Sequence, residues 1–144
     1  MSAKISMMLG FMPQFQNFSG CEVNGQPSTE QEFLASVRVY KKDPDGVSYL
    51  VDPSDWGFSY ADVTAQEVAV KDYAMSELRK KRNELLAASD AVTMKCVSRG
   101  LAIPDEWKAY QEALRDLPAN SDPDFDAVGN LVGIDWPSEP LTKP

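Results

Sequence analysis

Residues Pro104 to Pro118, PDEWKAYQEALRDLP, leave this chain little choice of local structure. Trp107, Tyr110, Leu114 and Leu117 recur at steps of three and four, which puts all four on one stripe of an α-helix. Pro104 suits the first helical position, where its missing N–H costs nothing, and Asp105 and Glu106 set negative charge against the positive end of the helix dipole. That assignment makes Ile103 the N-cap, a residue with no side-chain oxygen to offer a free amide. Lys108 and Glu112 sit four apart on the outer face, Arg115 suits the carboxyl end, and Pro118 forbids continuation. A helix of this kind in a small domain has to bury its apolar stripe, so Trp107, Tyr110 and Leu114 are expected in the core.

The surface that receives this stripe is expected from the segment before it. Thr64-Ala65-Gln66-Glu67 reads as a capping box at the head of a long helix running to about Ala88. Val70, Ala74, Leu78 and Leu85 trace its buried side, with Lys81 or Arg82 laying an alkyl stem across the gap. Leu78 and Leu85 therefore join the expected core, and the run Arg79-Lys80-Lys81-Arg82 reads as a solvated face. Ser89 or Asp90 is placed to cap a short second helix carrying Val92, Cys96 and Val97, which Gly100 ends. Three helices with short connections pack as an antiparallel array, the third closing over the first.

The first sixty or so residues follow a different pattern, irregular and rich in Gly, Pro, Asn and Ser. Phe33, Ala35, Val37 and Val39 alternate with Leu34, Ser36, Arg38 and Tyr40 before the turn residues Asp43-Pro44-Asp45-Gly46, and Val47, Tyr49 and Val51 supply a returning strand. Ser28-Thr29-Glu30-Gln31 offers a competing reading, since it resembles a capping box and would start a helical turn before the strand. After Pro118, Gly129-Asn130 between Ala127-Val128 and Leu131-Val132 suits a two-residue hairpin turn, and the prolines from Pro137 onward point to an extended end. The expected fold class is thus α+β: a small N-terminal β region (1–61), a helical hairpin-like core of two to three helices (62–118), and a C-terminal hairpin or extended tail (119–144).

The chemistry open to such a chain is narrow. It has no histidine, which removes Ser-His-Asp and Cys-His nucleophiles, imidazole-containing zinc sites and the commonest general base near neutral pH. Asp122, Asp124 and Asp126 alternate like the first ligands of a calcium loop, but Ala127 and Gly133 stand where that loop needs glycine and glutamate. No metal, no cofactor and no catalytic residue is expected, and the chain reads as a non-enzyme. Cys21 and Cys96 lack a metal-binding spacing; reduced thiols are the simpler reading, with a single bridge left open. A formal net charge of −8 argues against nucleic acid and anionic membrane as partners. No apolar run approaches the ~20 residues that cross a bilayer, and MSAKISMMLGFMP is too short and too lightly charged for a signal peptide, so a cytoplasmic setting is expected.

Several motifs in the second half occur in a telling order. Leu85, Leu86, Ala87, Ser89 and Asp90 are followed by Trp107, Tyr110, Leu114, Arg115 and Asp116, and then by Trp136 and Pro137. This set resembles the C-terminal part of bacteriophage tail fibre assembly proteins, the tail fibre chaperones. The chain departs from that pattern at Ala91, where many relatives have tryptophan, and at Gln111, where they have arginine. The resemblance implies a non-enzymatic viral protein made in the host cytoplasm that binds a tail fibre and assists its folding, trimerisation or attachment. The alternative it implies is a permanent component of the virion tail or fibre. Trp136 lies beyond the helices beside Pro137, and with Ile134 it is the expected partner-binding anchor, the competing reading being that Trp136 folds back on the helical core.

Overall fold

Ile5, Met8 and Leu9 repeat at helical spacing, and in the computed structural model, which describes residues 3–144, they bury one side of a helix, α1 (Ala3–Phe11). The sequence reading did not anticipate this element; residues 1–2 of the N-terminal region lie outside the described residues. A short 3-10 helix (Pro13–Asn17) leads into β1 (Gly20–Val23). The architecture is α+β as expected, with helices more prominent in the first half than the reading allowed.

The competing capping reading near Ser28 is the correct one. Thr29 caps α2 (Glu30–Ser36) by accepting the Glu32 N–H, while the Glu32 carboxylate reaches back to the Ser28 N–H at 2.8 Å. Phe33 and Ala35 are therefore helical, and the strand is confined to β2 (Val37–Lys42). Two bonds at one helix start outweigh strand alternation that β2 satisfies from Val37 onward. The hairpin to β3 (Ser48–Leu50) closes where expected: Asp43 accepts the N–H groups of Asp45 and Val47, and Gly46 takes φ 83°. The sheet order is β1-β2-β3, antiparallel throughout, with Cys21 opposite Val39 and Lys41 opposite Tyr49.

A second correction concerns the long helix. Its capping box is not Thr64/Glu67; Ser59 and Asp62 form the reciprocal box, at the head of α3 (Tyr60–Thr64), and α4 starts afresh at Glu67. Nor does α4 stop near Ala88. It runs unbroken from Glu67 to Ser98, because the Ser89 hydroxyl donates to the Leu86 carbonyl one turn back and so caps no new helix. Gly100 then ends α4 at φ 66°, with Leu101 N–H on the Cys96 carbonyl and Gly100 N–H on the Val97 carbonyl, a Schellman closure. Pro104 serves as N-cap, the place expected of Ile103, and α5 spans Asp105–Asp116, starting one residue later than expected. The C-terminal strands, β4 (Asp124–Phe125) and β5 (Leu131–Val132), are joined by a five-residue loop and not a two-residue turn. Asp126 holds that loop by accepting the N–H groups of Val128 and Asn130 and the Asn130 side-chain amide.

The chain divides into two compact units, Met1–Tyr73 with Asp124–Val132, and Ala74–Pro123 with Gly133–Pro144. The first is built around Val23, Val37, Val39 and an aromatic train in which Phe18 meets Phe58 edge-on, Phe58 stacks on Trp56, and Trp56 meets Phe33 edge-on. The β4–β5 hairpin belongs to it through an ion pair of Lys4 with Asp124 at 3.0 Å, the Ala3 N–H on the Ala127 carbonyl, and Tyr73 stacked on Phe125. Burial alone would raise the Asp124 pKa, but the hydrogen bond from Lys4, the Phe125 N–H and the charges of Lys4 and Lys71 together bring it below its ordinary value.

Candidate partner-binding surface

The second unit is a helix pair crossed by the C-terminal segment. Trp107, Tyr110 and Leu114 are buried on α5 against Leu85, Leu86, Val92 and Ile103. The two helices run antiparallel, as Gln111 on α5 meets Ser89 and Thr93 while Arg115 lies beside Arg82. Leu78 is fully buried on α4, Leu85 partly so, and Cys96, also fully buried, behaves as a small apolar residue. The seam has a polar centre: the buried Gln111 amide lies 2.9 Å from Thr93 Oγ1, 3.2 Å from Ser89 Oγ and 3.3 Å from the Ser89 carbonyl. Sequence reasoning treated Gln111 as a departure from a family pattern and missed this role. Its place on the apolar side, one residue after Tyr110, was the available signal.

The segment after β5 is tied to the helix pair through both tryptophans. The Trp107 indole N–H donates to the Thr142 carbonyl at 2.7 Å, so the residue expected as plain core also fastens the chain end. Tyr110, edge-on to Trp107, has its pKa raised by burial and then by the Glu139 carboxylate of the same segment. Trp136 lies half-buried with the Lys81 ammonium 4.8 Å from its ring centroid. Ile134 and Pro137 are also half-buried. Pro137 and Asp135 form one wall of a groove of about 260 Å³ whose other wall is the carboxyl end of α5 and the following turn, from Ala113 and Leu117 to Asn120 and Ser121. Ser121 Oγ is buried there with no hydrogen-bond partner among the described residues. The segment enters through Gly133, at φ 79°, which packs its backbone against the Asp122 carbonyl.

Asp124 and Asp126 have their carboxylates engaged with Lys4 and with the hairpin loop, and among the described residues no group of three acidic or thiol side chains is arranged to hold a metal ion. No helix of the described residues is long and apolar enough to cross a membrane. Several apolar side chains are exposed: Val97, which the sequence reading placed on a short second helix with Cys96, and Met94, Leu101 and Leu141, which it did not single out.

The model of a family described as phage tail assembly chaperone protein matches residues 75–141, the same half of the chain in which the motif order resembles tail fibre chaperones. No curated protein and no solved structure matches the chain.

Proposed function

We propose that the protein is a non-enzymatic assembly chaperone of a phage tail, acting in the host cell, which binds the tail fibre polypeptide and assists its folding, trimerisation or attachment. The observation that carries this reading is the family match over residues 75–141, which takes in α5 and the segment that crosses it. Trimeric fibres pass through monomers with bare apolar surface and unpaired strands, and covering these suppresses aggregation. Ile134, Trp136 and Pro137 form the proposed anchor, since a half-buried indole beside a groove offers a partner both a ring face and a recess. The net charge of −8 supports a protein partner over nucleic acid or an anionic membrane.

Co-expression with each candidate fibre or tail protein tests the reading. One of them should become soluble and co-purify; if none changes, the chaperone function falls. Recovery of the protein at fixed stoichiometry from purified virions would make it a permanent tail component instead.

A further inference from the structure

The last stretch of the chain is fastened to the second unit by very little. Among the described residues, 134–144 make one hydrogen bond, in which the Thr142 carbonyl accepts the Trp107 indole N–H. The Trp136 ring adds its contact with the Lys81 ammonium. A neutral hydrogen bond and a cation–π contact at an exposed site each shift an equilibrium by about two- to tenfold, so neither locks the segment down. None of these residues is fully buried, and Leu141, beside the bonded residue, is 98% exposed. What they lie against is buried: Trp107, and Tyr110, whose pKa is raised by burial and then by the nearby Glu139 carboxylate. Lifting the segment bares the indole edge of Trp107, while the bonds of Gln111 to Ser89 and Thr93 keep α5 on α4.

The segment also shows how it is seated. Ile134, Pro137 and Pro140, three apart, are half-buried, as is Trp136, whereas Asp135, Ser138 and Glu139 are exposed. A polyproline II helix has three residues per turn, so laying one side on a surface covers every third residue. The sequence favours that conformation, since each proline fixes its own φ and keeps the residue before it, Trp136 or Glu139, out of the helical region. Segments of this type dock on aromatic surfaces at small entropic cost, because they are extended before they bind. The edge-on pair of Trp107 and Tyr110 is such a surface.

We propose that residues 134–142 are a displaceable strap, occupying in cis a docking site on the Trp107 and Tyr110 face of α5 for an extended, proline-bearing segment of an unfolded tail polypeptide. The incoming segment takes the strap's place: a main-chain carbonyl accepts the Trp107 indole N–H, and proline or apolar side chains at every third position lie on the helix pair. Displacement also lifts Trp136 from Lys81 and frees its ring for the same partner. The strap of a second copy is disfavoured as occupant, because two chains of net charge −8 repel one another. That the segment belongs to a tail polypeptide rests on the chaperone reading; the strap and its seat do not.

The test uses the full chain and the capped peptide IDWPSEPLTKP, the sequence of residues 134–144. It is supplied at millimolar concentration, since the strap competes in cis at an effective concentration of about that order. Without peptide, the Trp107 indole N–H should exchange at least about a hundredfold faster than the slowest α4 amides and with little dependence on denaturant, the mark of local opening. Pro140→Gly loosens the strap and leaves the seat intact, so it should speed that exchange about two- to fivefold with the α4 amides unchanged. Peptide should shift the Trp107 indole signal and bind the Pro140→Gly chain more tightly by the same factor. It should bind at least about fourfold more weakly when alanine replaces its first two prolines. Indole exchange only through global unfolding, no shift at Trp107, equal affinity for the two chains or indifference to the prolines would each overturn the strap. If Pro140→Gly does not fold, the wild-type exchange and the alanine peptide decide. Protection of the Trp107 indole that rises with protein concentration would assign the seat to a second copy's strap and overturn the proposal too. Fibre rescue is measured separately: peptide binding without rescue sinks the chaperone reading alone, and rescue without peptide binding sinks the strap alone.

Discussion

Replacing Trp107 with alanine should cost about 3–5 kcal/mol, the range for truncating a large buried aromatic. The side chain is 1% exposed, meets Tyr110 edge-on with centroids 5.9 Å apart, and donates to the Thr142 carbonyl. The edge-on contact contributes roughly 0.5–1.5 kcal/mol and the hydrogen bond about as much, with cavity formation supplying the rest. Domains of this size hold roughly 5–15 kcal/mol in all, so the substitution removes a large share. At roughly 3–5 °C per kcal/mol the thermal midpoint should fall by roughly 10–25 °C. Trp136→Ala makes the comparison. That ring is half-buried and its identified partner is a cation, an interaction of about 0.5–1 kcal/mol at an exposed site, so the loss should stay near 1–2 kcal/mol with partial burial included, at about the lower half of what full burial supplies. Trp107→Phe keeps an aromatic ring without the N–H and should fall between them, while speeding amide exchange near Thr142. Melts followed by far-UV circular dichroism check all three. Equal destabilisation by the two alanine variants, with fibre capture lost only in proportion to unfolding, would refute both the ranking and the anchor role of Trp136.

Gln111→Ala should cost about 1–3 kcal/mol, since it leaves buried groups of Ser89 and Thr93 short of a partner, whereas Gln111→Met should recover part of that by filling the space; urea unfolding reads both. Gly133→Ala should be severe, because φ 79° costs about 1–3 kcal/mol for a residue with a side chain and the new Cβ would collide with the Asp122 carbonyl oxygen; loss of the Trp136 environment in fluorescence would report it. Acid should loosen the β4–β5 hairpin. The Asp126 pKa is lowered chiefly by the Asn130 N–H, and that of Asp124 by Lys4 and its neighbours against the effect of burial, so both contribute stability that is complete above the unfolded value of about 4 and lost as pH falls through the folded one. The Val128 and Asn130 amides should lose exchange protection below about pH 4, and in Asp126→Ala their protection should already be low at neutral pH.

What the sequence disclosed depended on how far each element's rules are local. The α5 helix was legible because proline at one end, proline just beyond the other and a stripe of large apolar residues are all short-range signals. The Asp43–Gly46 turn was legible for the same reason. The end of α4 was not, because Ser89 can cap a new helix or bond back to Leu86, and the choice is made by Gln111, which sits 22 residues away. The start of α2 required weighing two overlapping patterns, and Glu32, one place beyond the box that was considered, decided it. The stripe of Ile5, Met8 and Leu9 was present in the sequence but obscured by an expectation of irregular structure. The residues proposed as the anchor, Ile134, Trp136 and Pro137, could be singled out from their type and position. Their groove could not, since it needs the carboxyl end of α5 and the turn after it.

The return of residues 124–132 to the first unit sets an order of assembly. That unit has its Lys4 partner, its Ala3 backbone partner and the ring that stacks on Tyr73 only once the ribosome has delivered the β4–β5 hairpin, after both α4 and α5. A chain cut after α5 would carry a first unit with these seats empty. Conversely, the stretch 75–141 contains the hairpin but none of the groups that receive it, so Phe125 would enter water in a fragment cut to those limits. The boundary of the similarity is not a boundary of the folded object, and any dissection of this protein has to keep residues 3–73 and 124–132 on the same side of the cut.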